Sequence, residues 1–391
     1  MPFERLRSAA GQSRWAWLHR HSGWVGIGTQ YAVEARDDAR FRTLKTALAT
    51  APSSGPHFVG MGFSTRDHRP APWWQAFPAA LLTTPGTVEH YHLPLPDAPQ
   101  APPVARRVEV TGGTTFAEWQ QAVEAALAAI RQHRLRKVVL ARAEVLRFDV
   151  PPSPVDVLEA LHAQHSQSYC FLMEPVPGTA FVGATPELLA RVRAGTVETV
   201  ALAGSAPRGH SHNRDALLGR QLLDSEKDRR EHAVVVEAMR AALTPLTRGL
   251  AMPAAPRLRR LPHIQHLETP IRGPLKSGVG LLDVAAALHP TPALGGTPRD
   301  AAMDFIAAHE PFPRGWYAAP VGVAYPDGSG ELGVAIRSAL LFDNLAILYA
   351  GAGIVAGSDA AREWEETSLK LTTMRAALQT AAPAAMPAPV S

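Results

Sequence analysis

The stretch at 345–370, LAILYAGAGIVAGSDAAREWEETSLK, decides between two kinds of fold. An apolar run, LAILYA, precedes GAGIVA at 351–356 and a helix-forming segment, which formally matches the G-x-G-x-x-G/A fingerprint of dinucleotide-binding folds. Two features oppose that interpretation. Glu363, Glu365 and Glu366 would repel a pyrophosphate at the start of the helix, and too little chain follows for a second βαβ unit. We therefore expect a glycine turn that binds a smaller anion, such as a carboxylate.

The segments before this stretch predict a mixed α+β architecture. Thr115 and Glu118 fit a capping box that opens a helix, and a turn at Ala194–Gly195 joins two strand-like runs. Apolar spacing predicts helices at about 154–165, 212–243, 280–288, 299–309 and 359–379, and strands at about 137–146, 169–174, 317–324, 331–342 and 345–350. Because strands arrive in groups as well as alternating with helices, we expect an α+β protein rather than a doubly wound parallel sheet.

The two ends of the chain differ from its middle. Residues 1–105 are rich in Pro, with short strand-like runs at 24–28 and 58–63 and a predicted linker, LPLPDAPQAPP, at 93–103. The tail AAPAAMPAPVS at 381–391 is typical of disorder. We expect 1–105 to be a variable N-terminal part of the same fold, 106–380 to be the catalytic region and 381–391 to be a disordered tail.

Composition excludes several classes of protein. The 391 residues contain one cysteine, Cys170, which excludes a disulfide framework and a cysteine-based metal site. The first 15 residues lack the apolar run of a secretory signal, and no stretch has the length of a membrane span. The formal net charge is +4, without a basic stripe carrying interleaved aromatic residues. We expect a cytoplasmic protein that binds neither membrane nor nucleic acid.

Only five of the 39 basic residues are lysines. A lysine can lose its proton when it is buried, whereas arginine stays charged, so each lysine is a candidate for proton transfer. Lys137 opens the apolar run KVVLAR, and Glu187 ends FVGATPE. Taken singly, the lysine fits a residue at the end of a buried strand with its charge in water, and the glutamate fits a helix cap.

Two predicted helices carry clustered charges. Glu363, Glu366 and Lys370 share one face of the last helix, and Asp228 and Glu231 lie close together on the long helix near 212–243. Solvated helix surface explains both clusters. The alternative is that carboxylates from two helices meet across a cleft and bind Mg²⁺, which takes oxygen ligands. The spacing alone leaves both interpretations open.

Together these segments resemble the chorismate-utilising enzyme family, and most closely its isochorismate synthase branch. The matching motifs follow one another in the family's order over about 137–370: KVVLAR (137–142), FVGATPELL (181–189), ETVALAGSAPRG (198–209), SEKDRREH (225–232), IQHLETPIRG (264–273), HPTPALGGTP (289–298), RGWYAAPVG (314–322), GELGVAIRSAL (331–340) and GAGIVAGSDAAREWEETSLK (351–370). The resemblance implies a single large fold with two mostly antiparallel sheets packed as a central sandwich, flanked by helices.

The resemblance also implies a reaction. Isochorismate synthases are Mg²⁺-dependent isomerases that reversibly add water at C2 of chorismate while the C4 hydroxyl leaves, which requires a base on one side of the ring and an acid on the other. Lys137 matches the family's base and Glu187 its acid. The lysine would have to be neutral and the glutamate protonated, and partial burial is the expected cause.

The remaining site residues are likewise implied by the resemblance. Glu231 and Glu366 would bind Mg²⁺ directly, and Asp228 and Glu363 would act through water or as neighbours of these ligands. The metal would neutralise the ring carboxylate of chorismate. The substrate would contact Gly204, Ser205, His266, Ala293, Leu294, Tyr317, Arg337, Gly351, Gly353 and Lys370, with Arg337, Lys370 and the glycine turn binding the enolpyruvyl carboxylate.

The assignment to the isochorismate synthase branch depends on fewer residues than the assignment to the family. Anthranilate synthases typically have Gln at the position of Lys137, and aminodeoxychorismate synthases have a nucleophilic Lys at that of Ala203. Both differences favour water over ammonia. A salicylate synthase, which eliminates pyruvate from the same intermediate, stays open, as does a nucleotide-binding module that uses GAGIVA. The sequence also leaves open whether the protein is a monomer or a homodimer, and whether its product serves menaquinone or siderophore synthesis.

Overall fold

Two large antiparallel sheets organise the chain. The computed structural model describes residues 1–66, 72–93, 109–260 and 264–381. Apart from the first residue of each, the predicted linker at 93–103 and the predicted tail at 381–391 lie outside these ranges. In the described part the strands are β1 (Arg14–His19), β2 (Ser22–Ile27), β3 (Tyr31–Ala35), β4 (His57–Met61), β5 (Ala80–Thr84), β6 (Thr87–His92), β7 (Glu109–Gly113), β8 (Lys137–Arg147), β9 (Tyr169–Val176), β10 (Thr179–Thr185), β11 (Leu188–Arg193), β12 (Thr196–Pro207), β13 (Arg257–Arg260), β14 (Ile264–Pro274), β15 (Gly296–Thr297), β16 (Pro320–Ala324), β17 (Gly330–Val334), β18 (Ser338–Phe342) and β19 (Leu345–Ile354).

Helices surround these strands. They are α1 (Pro2–Ser8), α2 (Arg40–Ala49), α3 (Phe116–Arg131), α4 (Pro154–Gln164), α5 (His212–Asp224), α6 (Glu226–Leu243), α7 (Leu281–Leu288), α8 (Arg299–His309) and α9 (Ala360–Ala381), with short 3₁₀ turns at Pro72–Trp74 and Thr244–Leu246. Among the described residues, no helix combines the length and the apolar character needed to cross a bilayer.

The strands pair antiparallel throughout both sheets. The first sheet has the order β15-β8-β19-β18-β10-β9-β1-β2-β6, with β7 also pairing β8. The second has the order β13-β14-β12-β11-β17-β16-β4-β5-β3. Strands before residue 93 join both sheets, while a domain division near residue 105 stays a prediction. The α+β class with two antiparallel sheets is confirmed.

Strand β1 shows how the sequence sets the layers. Successive side chains of a strand point to opposite faces. Trp15 and Trp17 join the core between the sheets, where Trp15 lies against Phe58 of the second sheet with ring centroids 6.1 Å apart. Ala16 and Leu18 join a second core on the other face, beneath α1, α4 and α9. The central strands of the first sheet are therefore buried on both faces, which explains why β1, β9, β10 and β18 are largely apolar rather than alternating, whereas β6 and β7 are exposed.

Several predicted elements are confirmed. The Thr115 side chain accepts a hydrogen bond from the Glu118 amide, and Glu118 accepts one from the Thr115 amide, so the capping box opens α3. The predicted strand at 137–146 is β8, and the predicted hairpin joins β11 to β12. Its turn residues, Ala194 and Gly195, have φ of 46° and 67°, the left-handed conformation that tight hairpins require.

The prediction of one long helix over 212–243 was wrong. The chain breaks at Ser225, which is extended (φ −66°, ψ 111°) and separates α5 from α6. The Ser225 hydroxyl oxygen accepts a hydrogen bond from the Asp228 amide at 3.2 Å and thereby caps α6. A serine followed three residues later by an acid is a start signal for a helix. The break gives α6 its own direction, and α6 carries Asp228 and Glu231.

The prediction of one strand over 331–342 was also wrong. Strand β17 belongs to the second sheet and β18 to the first, and the chain crosses between the sheets at residues 335–337. Arg337 has a φ of 53°, a left-handed conformation that costs free energy in a residue other than glycine. The hydrophobic pattern continues through the crossing because both strands are buried, so periodicity alone could not reveal the change of sheet.

Candidate active site

A pocket lies where the chain passes between the two sheets. It contains fourteen of the sixteen side chains or backbone positions that the sequence singled out. Its lining is Lys137, Val139, Pro186, Glu187, Leu202, Ala203, Gly204, Ser205, Glu231, His266, Ala293, Leu294, Arg314, Tyr317, Ala318, Ile336, Arg337, Tyr349, Gly351, Gly353, Glu366 and Lys370. The motifs from 137 to 370 therefore converge on one cavity.

Glu187 and Arg337 stand at two adjacent crossings between the sheets. Glu187 lies between β10 of the first sheet and β11 of the second, as Arg337 lies between β17 and β18. The Glu187 carbonyl accepts a hydrogen bond from the Val334 amide at 3.0 Å, and the Arg337 carbonyl accepts one from the Ala184 amide at 3.0 Å. Each crossing is thus held by the strands of the other, which fixes an acid and a guanidinium in one wall.

Lys137 begins β8 and is only 4% exposed. Its Nζ donates a hydrogen bond to Oε1 of Glu231 on α6 at 2.7 Å. The hydrogen bond connects β8, which carries the predicted base, to α6, which carries a predicted metal ligand. It also connects the two sheets, because β8 belongs to the first sheet while α6 packs on β12 of the second. With their side chains 6% and 19% exposed, Lys137 and Glu231 form an ion pair inside the pocket rather than at the surface.

The predicted glycine turn at Gly351 and Gly353 was wrong. Both residues lie within β19, opposite Ala141 and Val139 of β8, and α9 begins only at Ala360. The missing side chain of Gly353 leaves room for the head of Lys137, since a Cβ there would lie 3.0 Å from the lysine Cε and 3.5 Å from Oε1 of Glu231. An antiparallel strand also rules out the dinucleotide fingerprint, which needs these glycines in a turn between a strand and a helix.

Lys370 reaches the same wall from α9. Its Nζ donates hydrogen bonds to the Gly351 carbonyl at 2.8 Å and to Oε1 of Glu366 at 2.6 Å. The ammonium of Lys370 lowers the pKa of Glu366, so this carboxylate is ionised at neutral pH. With Arg337, this lysine makes one side of the pocket positive and suited to a carboxylate.

A β-bulge brings Ser205 and His266 to the pocket. The register of β12 against β14 shifts between Ala203 and Ser205, and Gly204 at the shift has a φ of 76°. Bulges of this kind re-aim side chains beside active sites. The Ser205 hydroxyl lies 2.8 Å from Nδ1 of His266. Burial lowers the pKa of His266 to about 3, so the imidazole is neutral and can orient a polar group without adding charge.

Glu187 has the property required of a general acid. Burial raises the pKa of its carboxyl from the ordinary 4.5 to about 7, although four cations oppose the shift by favouring the charged form: Arg259, Lys370, Lys137 and Arg337. A substantial part of the Glu187 population therefore carries a proton at neutral pH.

The four predicted metal ligands are only partly assembled. Glu231 and Glu366 line the pocket, whereas Asp228 and Glu363 do not. Within the described ranges, no three His, Cys, Asp or Glu side chains lie close enough together to hold a metal ion. Burial raises the pKa of Glu363, and the charge of Glu366 adds to this effect. Carboxylate oxygens are the donors that Mg²⁺ prefers, and a cation would relieve the repulsion between these two groups, so the donor chemistry fits.

Sequence reasoning missed eight lining residues. Seven are wall positions that lie one or two residues from predicted ones, and among them the sequence marked only Ala203, as a position that distinguishes branches of the family: Val139, Pro186, Leu202, Ala203, Ala318, Ile336 and Tyr349. The eighth, Arg314, is charged yet only 4% exposed. It opens the quoted motif RGWYAAPVG, so its position was visible in the sequence although its contacts were not.

The sequence is similar to a known protein family and to several known enzymes. A family model described as "Chorismate binding enzyme" matches residues 92–379. The salicylate biosynthesis isochorismate synthase of Pseudomonas aeruginosa is 48% identical over 262 residues, which are 67% of this chain and 54% of that protein. Isochorismate synthase MenF of Bacillus subtilis is 42% identical over 261 residues, or 67% of this chain and 55% of that protein. The chain thus spans about half the length of these two relatives.

Further similarity extends to a shorter relative and to solved structures. Isochorismate synthase EntC of Escherichia coli K12 is 40% identical over 271 residues, covering 69% of this chain and 68% of that protein. A crystal structure of a 2,3-dihydroxybenzoate-specific isochorismate synthase, DhbC from Bacillus anthracis, superimposes with a TM-score of 0.84 at 28% identity, covering 97% of this chain and all of that one. The structure of MenF, the menaquinone-specific isochorismate synthase of E. coli, gives 0.83 at 27% identity, with coverages of 97% and 91%.

Proposed function

Because the chain belongs to the chorismate-binding enzyme family, we propose that it is an isochorismate synthase that reversibly converts chorismate to isochorismate with Mg²⁺. One observation carries the proposal: Lys137 and Glu187 line the same pocket from different parts of the fold, the lysine at the start of β8 and the glutamate at the crossing from β10 to β11. A base and an acid in separate walls are what a substitution needs when one oxygen enters the ring and another leaves it.

The two residues divide the proton transfers. Lys137 accepts a proton from a water molecule while the oxygen of that water bonds to C2 of chorismate. The ring double bonds shift, and Glu187 donates a proton to the C4 hydroxyl, which leaves as water. No net atom is gained or lost. The raised pKa of Glu187 supports the acid role.

The substrate's two carboxylates would be bound in separate parts of the pocket. Arg337 and Lys370 supply fixed positive charge for the enolpyruvyl carboxylate, and the planar guanidinium suits bidentate recognition. The bulge at Gly204 and Ser205 would contact the ring carboxylate through its backbone, while His266 orients the substrate near C4. Ala293, Leu294 and Tyr317 would form the wall against which the ring packs.

Mg²⁺ would be held by Glu231 and Glu366, with Asp228 and Glu363 as water-mediated or neighbouring partners. When bound, the ion would neutralise the ring carboxylate of chorismate. Each of the two ligands now accepts a hydrogen bond from a lysine, Glu231 from Lys137 and Glu366 from Lys370. Both carboxylates present their oxygens to the pocket, and carboxylate oxygens are ligands that Mg²⁺ prefers.

The second candidate is a salicylate-forming enzyme, which would eliminate pyruvate from isochorismate. The name of the P. aeruginosa relative refers to salicylate biosynthesis, and this supports the second candidate. The proposed acid, base and metal ligands serve both reactions, so the products distinguish them.

We also propose a cytoplasmic location, since Cys170 is a buried free thiol, and a monomer or homodimer.

The decisive experiment identifies the products. The purified protein is incubated with chorismate and Mg²⁺, with a chelator in the parallel control, and the mixture is chromatographed. Formation of isochorismate with Mg²⁺ but not in the chelator control supports the proposal. Formation of salicylate together with pyruvate supports the second candidate. Failure to consume chorismate at any Mg²⁺ concentration would contradict both.

A further inference from the structure

The buried pair Glu310–Arg314 occupies the gap in the edge of the strand that carries Lys137. On one side β8 is paired with β19 along most of its length. On the other side β15 pairs only with Lys137 and Val138, and β7 pairs with β8 only from Glu144 to Arg147. Between these two pairings the Val139 amide donates to the Gly295 carbonyl, and the backbone of Ala143 bonds to Thr114. The Val139 carbonyl and the Ala141 amide have no such partner on a neighbouring strand, and a buried backbone group without a partner is costly.

Side chains take over those hydrogen bonds. The Arg314 guanidinium donates to the Val139 carbonyl at 2.7 Å, and the Ala141 amide donates to Oε1 of Glu310 at 2.7 Å. Nε of Arg314 donates to Oε2 of Glu310 at 2.9 Å. The two side chains thus form one unit that replaces a rung of the missing strand.

The same guanidinium also holds a second wall of the pocket. Its Nη1 donates to the Leu294 carbonyl at 3.0 Å, and Leu294 lines the pocket beside Ala293. The Arg314 side chain is 3% exposed, that of Glu310 is 2% exposed, and the guanidinium lies 4.1 Å from the centre of the Phe63 ring. A buried arginine that donates hydrogen bonds from Nε, Nη1 and Nη2 therefore joins β8, two residues from Lys137, to the loop that carries Ala293 and Leu294.

We infer that Glu310 and Arg314 are positioning residues for the proposed reaction: they set the distance between the Lys137 end of β8 and the wall formed by Ala293 and Leu294. The inference rests on the proposed function for its catalytic consequence. Its structural content is independent of the substrate. A base that must reach a water held against the ring is sensitive to small shifts, since displacements of about 1 Å cost on the order of 100-fold in rate.

The experiment compares two buried arginine pairs. Arg314→Lys keeps the charge but cannot make the hydrogen bonds to Glu310, Val139 and Leu294 together, and Glu310→Gln is the milder second variant. The matched control is Arg14→Lys, because Arg14 similarly contacts a buried carboxylate, Glu174, and donates to the Leu6 carbonyl at 3.2 Å, away from the pocket. All variants are first checked for folding by thermal unfolding.

Two readouts are measured on the full chain. For Arg314→Lys we expect kcat for chorismate to fall at least about tenfold with KM within about twofold, while Arg14→Lys keeps kcat within about twofold. Hydrogen exchange at the Ala141 amide should accelerate at least about tenfold in both pocket variants and not in the control.

The outcomes separate this inference from the proposed function. Unchanged exchange at Ala141 in Arg314→Lys and Glu310→Gln would overturn the positioning role, as would equal losses of kcat in Arg314→Lys and Arg14→Lys. A wild-type protein that does not turn over chorismate would overturn the proposed function alone, because the exchange measurement would still decide whether the pair holds β8.

Discussion

Nζ of Lys137 lies 2.7 Å from Oε1 of Glu231, so the proposed base and a proposed metal ligand are hydrogen-bonded to each other. The contact joins the first residue of β8 to the second turn of α6. A cation bound at Glu231 would compete for the oxygen that now accepts from the lysine. If both proposed roles hold, binding of the metal and availability of the base would be linked through this one carboxylate.

Lys137→Ala is expected to lower kcat by about 10² to 10⁴, the usual contribution of a general base, while chorismate binding changes little. Steady-state turnover and equilibrium binding measure the two effects separately. The control is Lys45→Ala, which removes another lysine–carboxylate pair, with Asp283 at the surface. Full activity in Lys137→Ala would exclude the lysine as the base.

Glu366→Gln is expected to raise the Mg²⁺ concentration needed for half-maximal activity by at least about tenfold, because an amide replaces a charged oxygen ligand. A titration of activity against Mg²⁺ checks this. Glu365→Gln is the matched control, since Glu365 is exposed on the same helix. Identical titration curves for the Glu366 variant and the wild type would remove Glu366 from the ligand set.

The activity should depend on the protonation of Glu187. With its pKa raised to about 7 by burial, the acid is protonated below neutrality, so kcat/KM should fall as the pH rises through about 7. Glu187→Gln should be nearly inactive at every pH. A wild-type rate profile that is flat between about pH 6 and about pH 8 would contradict the assignment.

The same carboxyl should make stability depend on pH. The native state binds the Glu187 proton more tightly than the unfolded chain, whose ordinary value is 4.5, so this group costs stability progressively as the pH rises from about 4.5 to about 7. Glu187→Gln should therefore gain stability relative to the wild type over that window. Denaturant unfolding at about pH 5 and about pH 8 measures it, with exposed Glu124→Gln as the control. Equal differences at both values would refute the buried-acid interpretation.

Gly353→Ala should lower kcat at least about tenfold, because the new methyl group would lie 3.0 Å from Cε of Lys137 and must displace the base by a few tenths of an ångström. Gly249→Ala is the control, since a Cβ there meets no atom within 4 Å. Crystal structures or amide exchange of the variant would confirm that the backbone of β19 is kept. Unaltered kcat would show that the glycine is not needed to seat the lysine.

The sequence by itself determined the fold class, the order of the motifs and most of the chemical groups in the pocket. The capping box at Thr115 and the hairpin at Ala194–Gly195 are local signals, formed between neighbours in the chain, so they can be recognised without the rest of the molecule. Family resemblance supplied the proposed roles of Lys137 and Glu187. These are statements about residue type and order, which sequence carries directly.

Only the tertiary structure decided the contacts between distant segments. Gly351 and Gly353 form a strand rather than a turn because β8 supplies partners for their backbone, and the apolar run 331–342 divides because its two halves pair in different sheets. Arg314 donates a hydrogen bond to β8 because the edge of β8 between its pairings with β15 and β7 lacks a neighbouring strand. Each of these outcomes depends on which backbone groups find partners across the chain, and hydrogen-bond satisfaction over such distances leaves no local pattern in the sequence.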